Sequence, residues 1–489
     1  MRRGVTIAIV CSWLVMVGLL VRRQWPSPAA SLPAEIVGAP AGDEWMAVYH
    51  KDQKIGYTHH TFVADGQGFI FSEESLLRLA VLQTPQTVRT RIHGHTSSDY
   101  SLRDVDFELR SGVGDLQVSG AVRDGALHLT LHTGKDTTEQ VVPLNEKIYV
   151  PSTVRAFVAT HPLRAGQQLE ALVFDPTSLT NDHIRLTVEE KQPVPGAADG
   201  PPAWRVREEF RGMQTVAWLD AGGAVLREEG PMDMILVREN EQSALTHGWD
   251  TNTALDLVAS AAVPVVHPIA DARERTSLRV RVSGIPLQRV LSDDEQSRDG
   301  ALVTIRHVRL ADVQSYELPY RGEDHRDDLR ATPFLQSDHP RVHALARQIL
   351  AGETDAVRAT ISLNDWVYAY LRKVPTVSIP NALQVLDMGE GDCNEHAVLF
   401  AALARAVGLP TRTLAGVVYL NGAFYYHAWC DVWFGRWVSV DPALHQFPAD
   451  ATHLKFVAGD AQDQLAMLEI IGRLGVDIVD ETDARTAAH

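Results

Sequence analysis

From Glu44 to about residue 240 apolar and polar residues alternate, in runs such as Trp45–Tyr49, Gly68–Ser72, Val105–Leu109, Leu127–Leu131 and Ile184–Val188. Turn signals separate them: Asp65-Gly-Gln-Gly68, Asp124-Gly125, Gly134-Lys-Asp136 and Ala221-Gly-Gly223. A period of two with one wet face predicts an antiparallel sheet, open or closed into a barrel, and Gln192–Ala203 reads as a loop between two of its strands. Residues 275 to 320 stay β-rich. The period then changes to helical over Pro340–Leu350, Asp355–Arg372 and Cys393–Val407. The second of these predicts a buried stripe of Val357, Ile361, Asn364, Tyr368 and Leu371. From Thr411 the period returns to two. Helices followed by antiparallel strands describe an α+β unit. The expected division is a β-rich domain over residues 44–245, a β-rich connecting region over 246–329 and the α+β domain over 330–475.

The chain has 489 residues, 45 % of them apolar and 22 % charged, a globular balance that leaves wholesale disorder out. Lys and Arg number 45 against 62 Asp and Glu, for a formal charge of −17. Nucleic-acid binding needs a basic footprint, so no such partner is expected. Three cysteines, Cys11, Cys393 and Cys430, cannot make a disulfide framework. Near the start, Gly4 to Val21 is an 18-residue stretch without charge, flanked by Arg2-Arg3 and Arg22-Arg23 and followed by Trp25. That length sits at the lower edge of a bilayer-spanning helix. A cleaved signal peptide is the competing reading, but a basic pair stands where small residues are wanted at the cleavage site. The expectation is a membrane anchor over residues 1–25 and a Pro/Ala-rich tether over 26–43. The bulk of the chain would then lie outside the cytoplasm, on the periplasmic side of an inner membrane.

Candidate chemistry concentrates in Gly389-Glu-Gly-Asp-Cys-Asn-Glu-His396. Asp392 suits an N-cap and Glu395, three residues on, completes a capping box, so Cys393 becomes the first helical residue. Unsatisfied amides and the positive dipole end favour a thiolate there. A base has to reach it. If Trp433 pairs with Trp437 around Phe434-Gly435-Arg436, His427 and Asp441 share one sheet face. Ala428, Cys430, Val432, Phe434, Val438 and Val440 then form an apolar opposite face. Cys393, His427 and Asp441 thus read as nucleophile, base and orienting carboxylate. Gln384 is a side-chain candidate for the oxyanion beside the Cys393 amide. Trp429 and Tyr426 are candidates for contacting substrate. Cys393-x-x-His396 and His427-x-x-Cys430 mimic zinc-ligand spacing, but residues three apart on a strand face opposite ways, so no metal is expected. His59, His60, His93 and His95 lack a second ligand pair, and no site is placed on them.

Residues 389 to 442 resemble the transglutaminase-like core of bacterial proteins, a circularly rearranged relative of papain-type cysteine proteases. The matching features are Gly391-Asp-Cys393 at a helix start, Arg405-Ala-Val-Gly-Leu-Pro-Thr-Arg412 after it, His427-Ala-Trp429 on a strand and Trp437-Val-Ser-Val-Asp-Pro442. The resemblance spans residues 330 to 460 and implies a papain-like fold with the same Cys393, His427 and Asp441. It also implies acyl transfer on amide or peptide substrates through a thioester, without a cofactor, resolved by water (peptidase or amidase) or by an amine (cross-linking). A non-catalytic binding module that keeps the pocket for partner recognition is the alternative.

Overall fold

The computed structural model describes residues 30–31, 42–50, 52–81, 83–112, 114–133, 136–159, 162–197, 200–246 and 255–483. The chain is mostly β. Strands from Gly42–His50 to Asp136–Pro143 pair consecutively and antiparallel, as does a second run from Gln168–Asp175 to Met234–Glu239. The last strand of the second run pairs with the first strand of the other, Met234 opposite His50 and Glu239 opposite Trp45, so the two meanders form one sheet. The expected antiparallel pattern is broken by short parallel pairs at Ala30–Ser31, Ile148–Tyr149 and Leu255–Asp256. One apolar cluster of this sheet runs on into Phe334, Val377 and Ile379, beside the chemistry-bearing segment.

Four helices, α1 (Pro340–Leu350), α2 (Ala356–Tyr370), α3 (Ala382–Met388) and α4 (Cys393–Ala406), precede strands β1 (Thr411–Leu420), β2 (Ala423–Trp433), β3 (Trp437–Val440) and β4 (His453–Ala458). The sheet order is Val263–Pro264, β2, β1, β4, with β3 also on β2. Helix α4 is buried from Glu395 to Arg405 apart from Val398, and α1, α2 and α3 pack around it. The buried face of α2 agrees with the expected stripe at Asn364 and, just past the helix end, Leu371, but is otherwise made by Ala356, Ala359, Thr360, Leu363 and Val367. Small residues let α2 approach the alanine-rich α4 closely, while Tyr368 and Tyr370 are exposed, Tyr370 stacked on half-buried Trp366 and Tyr368 on His445.

Strand β3 pairs with β2 in the register read from the sequence, Trp433 opposite Trp437 and Cys430 opposite Val440. Gly435, at φ 79°, supplies the left-handed position this three-residue loop needs. Ala428, Cys430, Val432, Phe434, Val438 and Val440 are all buried in the helix-facing core. Behind the sheet lies a second one, ordered Gln296–Asp299, Leu302–Arg306, Arg275–Ser283 and Gly475–Asp483. The connecting region thus joins the last described strand of the chain and forms a layer of its own. Between the sheets, the Lys455 ammonium, 1 % exposed, meets Asp293 at 2.9 Å, Glu295 at 2.8 Å and Asp431 at 3.0 Å. Arg412 pairs with Asp431 at 2.7 Å. Burial opposes ionisation of Asp431, but Lys455 and Arg412 outweigh it and hold the carboxyl below its usual range.

The membrane anchor and the periplasmic placement built on it are corrected. No helix among the described residues is long and apolar enough to cross a membrane. The longest, α2, has 15 residues, about 22 Å at 1.5 Å per residue, against a hydrocarbon core of about 30 Å. The apolar stretch Gly4–Val21 lies outside the described residues.

Lys455→Met removes the central cation from three buried carboxylates. Urea unfolding should show a loss of about 3–5 kcal/mol, the cost of stranding buried charge; a loss under 1 kcal/mol would mean that the carboxylates are not held by this ammonium.

Candidate active site

Helix α4 begins as the sequence predicts. Asp392 Oδ1 accepts from the Asn394 amide at 3.0 Å and Glu395 Oε2 from the Asp392 amide at 2.8 Å, closing the capping box. Glu395 has no exposed surface, and the Thr376 hydroxyl (3.1 Å) and the Ser378 hydroxyl satisfy its other oxygen. Burial and the adjacent Glu395 carboxylate hold Asp392 well above the usual carboxylic-acid range. Cys393 is half-buried. Burial pushes its thiol up, and the Asp392–Glu395 pair and Asp441 add to this, while the Ala428 backbone amide favours the thiolate. The dipole argument alone expected a ready thiolate; burial, with the enclosed carboxylates beside it, opposes this and favours the neutral thiol.

His427 lies on β2 next to Ala428, so the amide facing the sulfur and the imidazole come from adjacent residues. Its Nε2 is 2.7 Å from Asp441 Oδ2. An ionised carboxylate only accepts, so Nε2 carries the proton and Nδ1 keeps the lone pair of the neutral ring. Asp441, fully buried, follows β3 and is bridged to Gln446. Its Oδ1 accepts from the Ala443 and Leu444 amides, both at 2.9 Å, and its Oδ2 also accepts from His453 Nε2 at 3.0 Å. Burial opposes its ionisation, but the two histidines outweigh burial and hold the carboxyl far below the usual range.

The remaining candidates fall elsewhere. Gln384 on α3 donates to the Asp115 carbonyl of the N-terminal sheet at 2.9 Å and accepts from Asn381, so its amide serves docking rather than an oxyanion. Trp429 has no exposed surface; it lies beneath the site, its ring 6.0 Å from that of His427 and 5.1 Å from that of His453, which keeps it from a substrate. Half-buried Tyr426 donates to the Ile470 carbonyl at 3.1 Å, and burial pushes its phenol up to about 12. His396 donates from Nδ1 to the Asp392 carbonyl at 2.6 Å; burial lowers its basicity, and Nε2 has no partner among the described residues. Cys430 points the other way from His427, donating to Ala397 O at 3.3 Å, which separates the two supposed zinc ligands. His59 and His95 each pair with an aspartate at 2.7 Å, Asp43 and Asp104.

Among the described residues, His427, Asp441 and His453 are close enough to hold a metal, their ligand atoms within 4.8 Å of one another. His453 does not fit that role as arranged. Its Nε2 faces Asp441 and its Nδ1 faces the Asp450 carbonyl (3.1 Å) and carboxylate (3.2 Å), so neither nitrogen has a lone pair to give. Sequence reasoning missed His453 and Asp450. The available signal was an aspartate three residues before a histidine that opens a strand.

A cavity of about 350 Å³ lies beside the helix start. Asn394 and Ala428, the chain neighbours of Cys393 and His427, form part of its wall, with Leu335, Ile379, Ala397 and Ile471. Thr177, in the turn between the Gln168–Asp175 and Thr180–Gln192 strands, also lines it.

A comparison with curated proteins finds no match. Among solved structures the chain is similar to a candidate cysteine protease from Cytophaga hutchinsonii, at 16 % identity and a TM-score of 0.29 over 42 % of this chain and 86 % of that one. It is also similar to a β-barrel-like protein of unknown function from Brucella abortus, at 14 % identity and a TM-score of 0.32 over 40 % of this chain and 96 % of that one. A protein of another uncharacterised family from Pseudomonas aeruginosa matches at 20 % identity and a TM-score of 0.22, over 36 % of this chain and 90 % of that one. Residues 343–442 match the model of the transglutaminase-like superfamily. The chain thus carries a domain of the transglutaminase-like superfamily at residues 343–442.

Proposed function

We propose that this domain is a cysteine-dependent acyl transferase that works as a peptidase or amidase. The observation that carries the reading is the His427–Asp441 hydrogen bond of 2.7 Å beside the residue whose amide faces the Cys393 sulfur. His427 Nδ1 takes the thiol proton as sulfur attacks the amide carbonyl, and Asp441 holds the ring and offsets the imidazolium charge. The Cys393 amide, in a helical first turn without an intrahelical acceptor, donates to the oxyanion. The C–N bond breaks, His427 returns its proton to the departing amine, and a Cys393 thioester remains. Water, deprotonated by His427, then releases the acid and regenerates the thiol. Because the thiol rests neutral, proton removal accompanies attack rather than preceding it. The apolar wall of the neighbouring cavity suits an acyl donor that carries an apolar group.

The neutral thiol also favours a second reading, a binding module in which the pocket recognises a partner without turnover. Iodoacetamide separates the two. In an enzyme, alkylation of Cys393 is assisted by His427 as base, and His427→Ala slows it at least about tenfold. Slow alkylation indifferent to His427→Ala would leave only the binding module.

With an amide substrate found by trapping acylated Cys393, His427→Ala should reduce kcat by about 10²–10⁴; a smaller loss removes His427 as the base. Ile471→Ser should raise KM about tenfold for donors with an apolar group and leave kcat nearly unchanged. An unchanged KM would mean that the cavity does not receive the donor.

A further inference from the structure

We propose that His453 is a fixed cation of the site: a buried imidazolium, clamped between Asp441 and Asp450, that cancels part of the Asp441 charge felt by His427 and so sets the pH range in which His427 accepts a proton. The last step of this inference rests on the reading of Cys393 as nucleophile; the clamp itself does not.

His453 opens β4, and its side chain is 2 % exposed. Its Nε2 shares Asp441 Oδ2 with His427 Nε2, at 3.0 Å and 2.7 Å. Its Nδ1 lies 3.1 Å from the Asp450 carbonyl and 3.2 Å from the Asp450 carboxylate. Carbonyls and ionised carboxylates offer no hydrogen, so both ring nitrogens must donate and the ring is charged. Asp450 is itself fixed as an anion by the Thr452 amide and Gln446 Nε2, each at 2.9 Å. The acidity agrees with the geometry: burial works against the cation, but the bonds to Asp441 and Asp450 outweigh it and raise His453 from 6.5 to about 10.

The charged and titratable groups around this pair are His427 from β2, Asp441 after β3, Asp450 before β4, and Cys393 and His396 of α4, both within the field of Asp441. Asp441 favours the protonated form of an imidazole beside it, and a second positive charge on the same carboxylate opposes that preference. His453 is a second positive charge whose ring centroid is 6.1 Å from that of His427. At an effective dielectric of about 20, a charge at that distance moves a titration by roughly one to two pH units. His453 acts through Asp441 and His427 and is a positioning residue.

The test uses the full chain. In wild type at pH 8, ¹⁵N NMR of the imidazoles should show protons on both nitrogens of His453; a single-proton ring overturns the proposal without any variant. In His453→Gln, which keeps an N–H donor but no charge, the His427 ring should titrate roughly one to two pH units higher. The acid limb of Cys393 alkylation should move with it, so that the rate at pH 6 falls about tenfold while the alkaline plateau stays within about threefold. A merely structural role lowers the plateau and leaves the midpoint in place, which overturns the proposal. Stability gives a third readout. A group raised from 6.5 to about 10 on folding contributes fully below pH 6.5 and loses that contribution as pH climbs to about 10. Wild type should therefore lose stability relative to His453→Gln across that window, and parallel curves would overturn the proposal. Wild-type alkylation without an acid limb would remove Cys393 as nucleophile, while the NMR titrations would still decide the role of His453.

Discussion

A carboxylate stripped of water must be surrounded by donors, and Asp441 has four: two backbone amides of its own turn and two imidazoles. Its position constrains everything near it. The amides of Ala443 and Leu444 fix the turn after β3, His427 fixes β2 against that turn, and His453 fixes the start of β4. A buried anion with any of these missing is expensive, so the strand ends cannot drift apart without exposing it. The same demand for satisfaction that stabilises the fold turns His427 Nε2 to the aspartate and leaves Nδ1 on the other side of the ring.

The chemistry is bracketed by two further layers. In front, α4 presents Cys393 from a helix with almost no exposed surface, its first turn tied by Glu395 to Thr376 and Ser378. Behind, the Lys455 cluster joins β4 and β2 to the connecting sheet. The N-terminal sheet reaches the same segment through Gln384 on Asp115 and Gln86 on the Pro375 carbonyl at 3.3 Å. The loop from Arg372 to Asn381, which leads to the Cys393 helix, is thus held between the N-terminal sheet and the capping box. Under the proposed function such rigidity would serve the nucleophile, because misplacement by about 1 Å costs orders of magnitude in rate.

Much of this was legible in the residues. Asp392 and Glu395 mark a helix start by local hydrogen bonding, Gly435 marks a tight loop by its conformational freedom, and strand parity then puts His427 and Asp441 on one face. Each of these depends on neighbours within a few positions. The face of α2 was misjudged for a physical reason: large aromatic residues look like core, but close helix packing here prefers Ala356, Ala359 and Thr360 and leaves Tyr368 at the surface.

Sequence alone therefore determined the identity of the superfamily core, the register of β2 and β3, and the pairing of His427 with Asp441, because periodicity and capping are short-range properties. Tertiary structure decided their ionisation and their company. Whether a thiol is neutral depends on carboxylates folded against it, and whether Gln384 is a donor to substrate depends on a strand more than 260 residues away. The second histidine on Asp441 belongs to the same class. Its charge arises only where two aspartates from different turns converge on one ring, and electrostatics at a buried point sums over space, not along the chain.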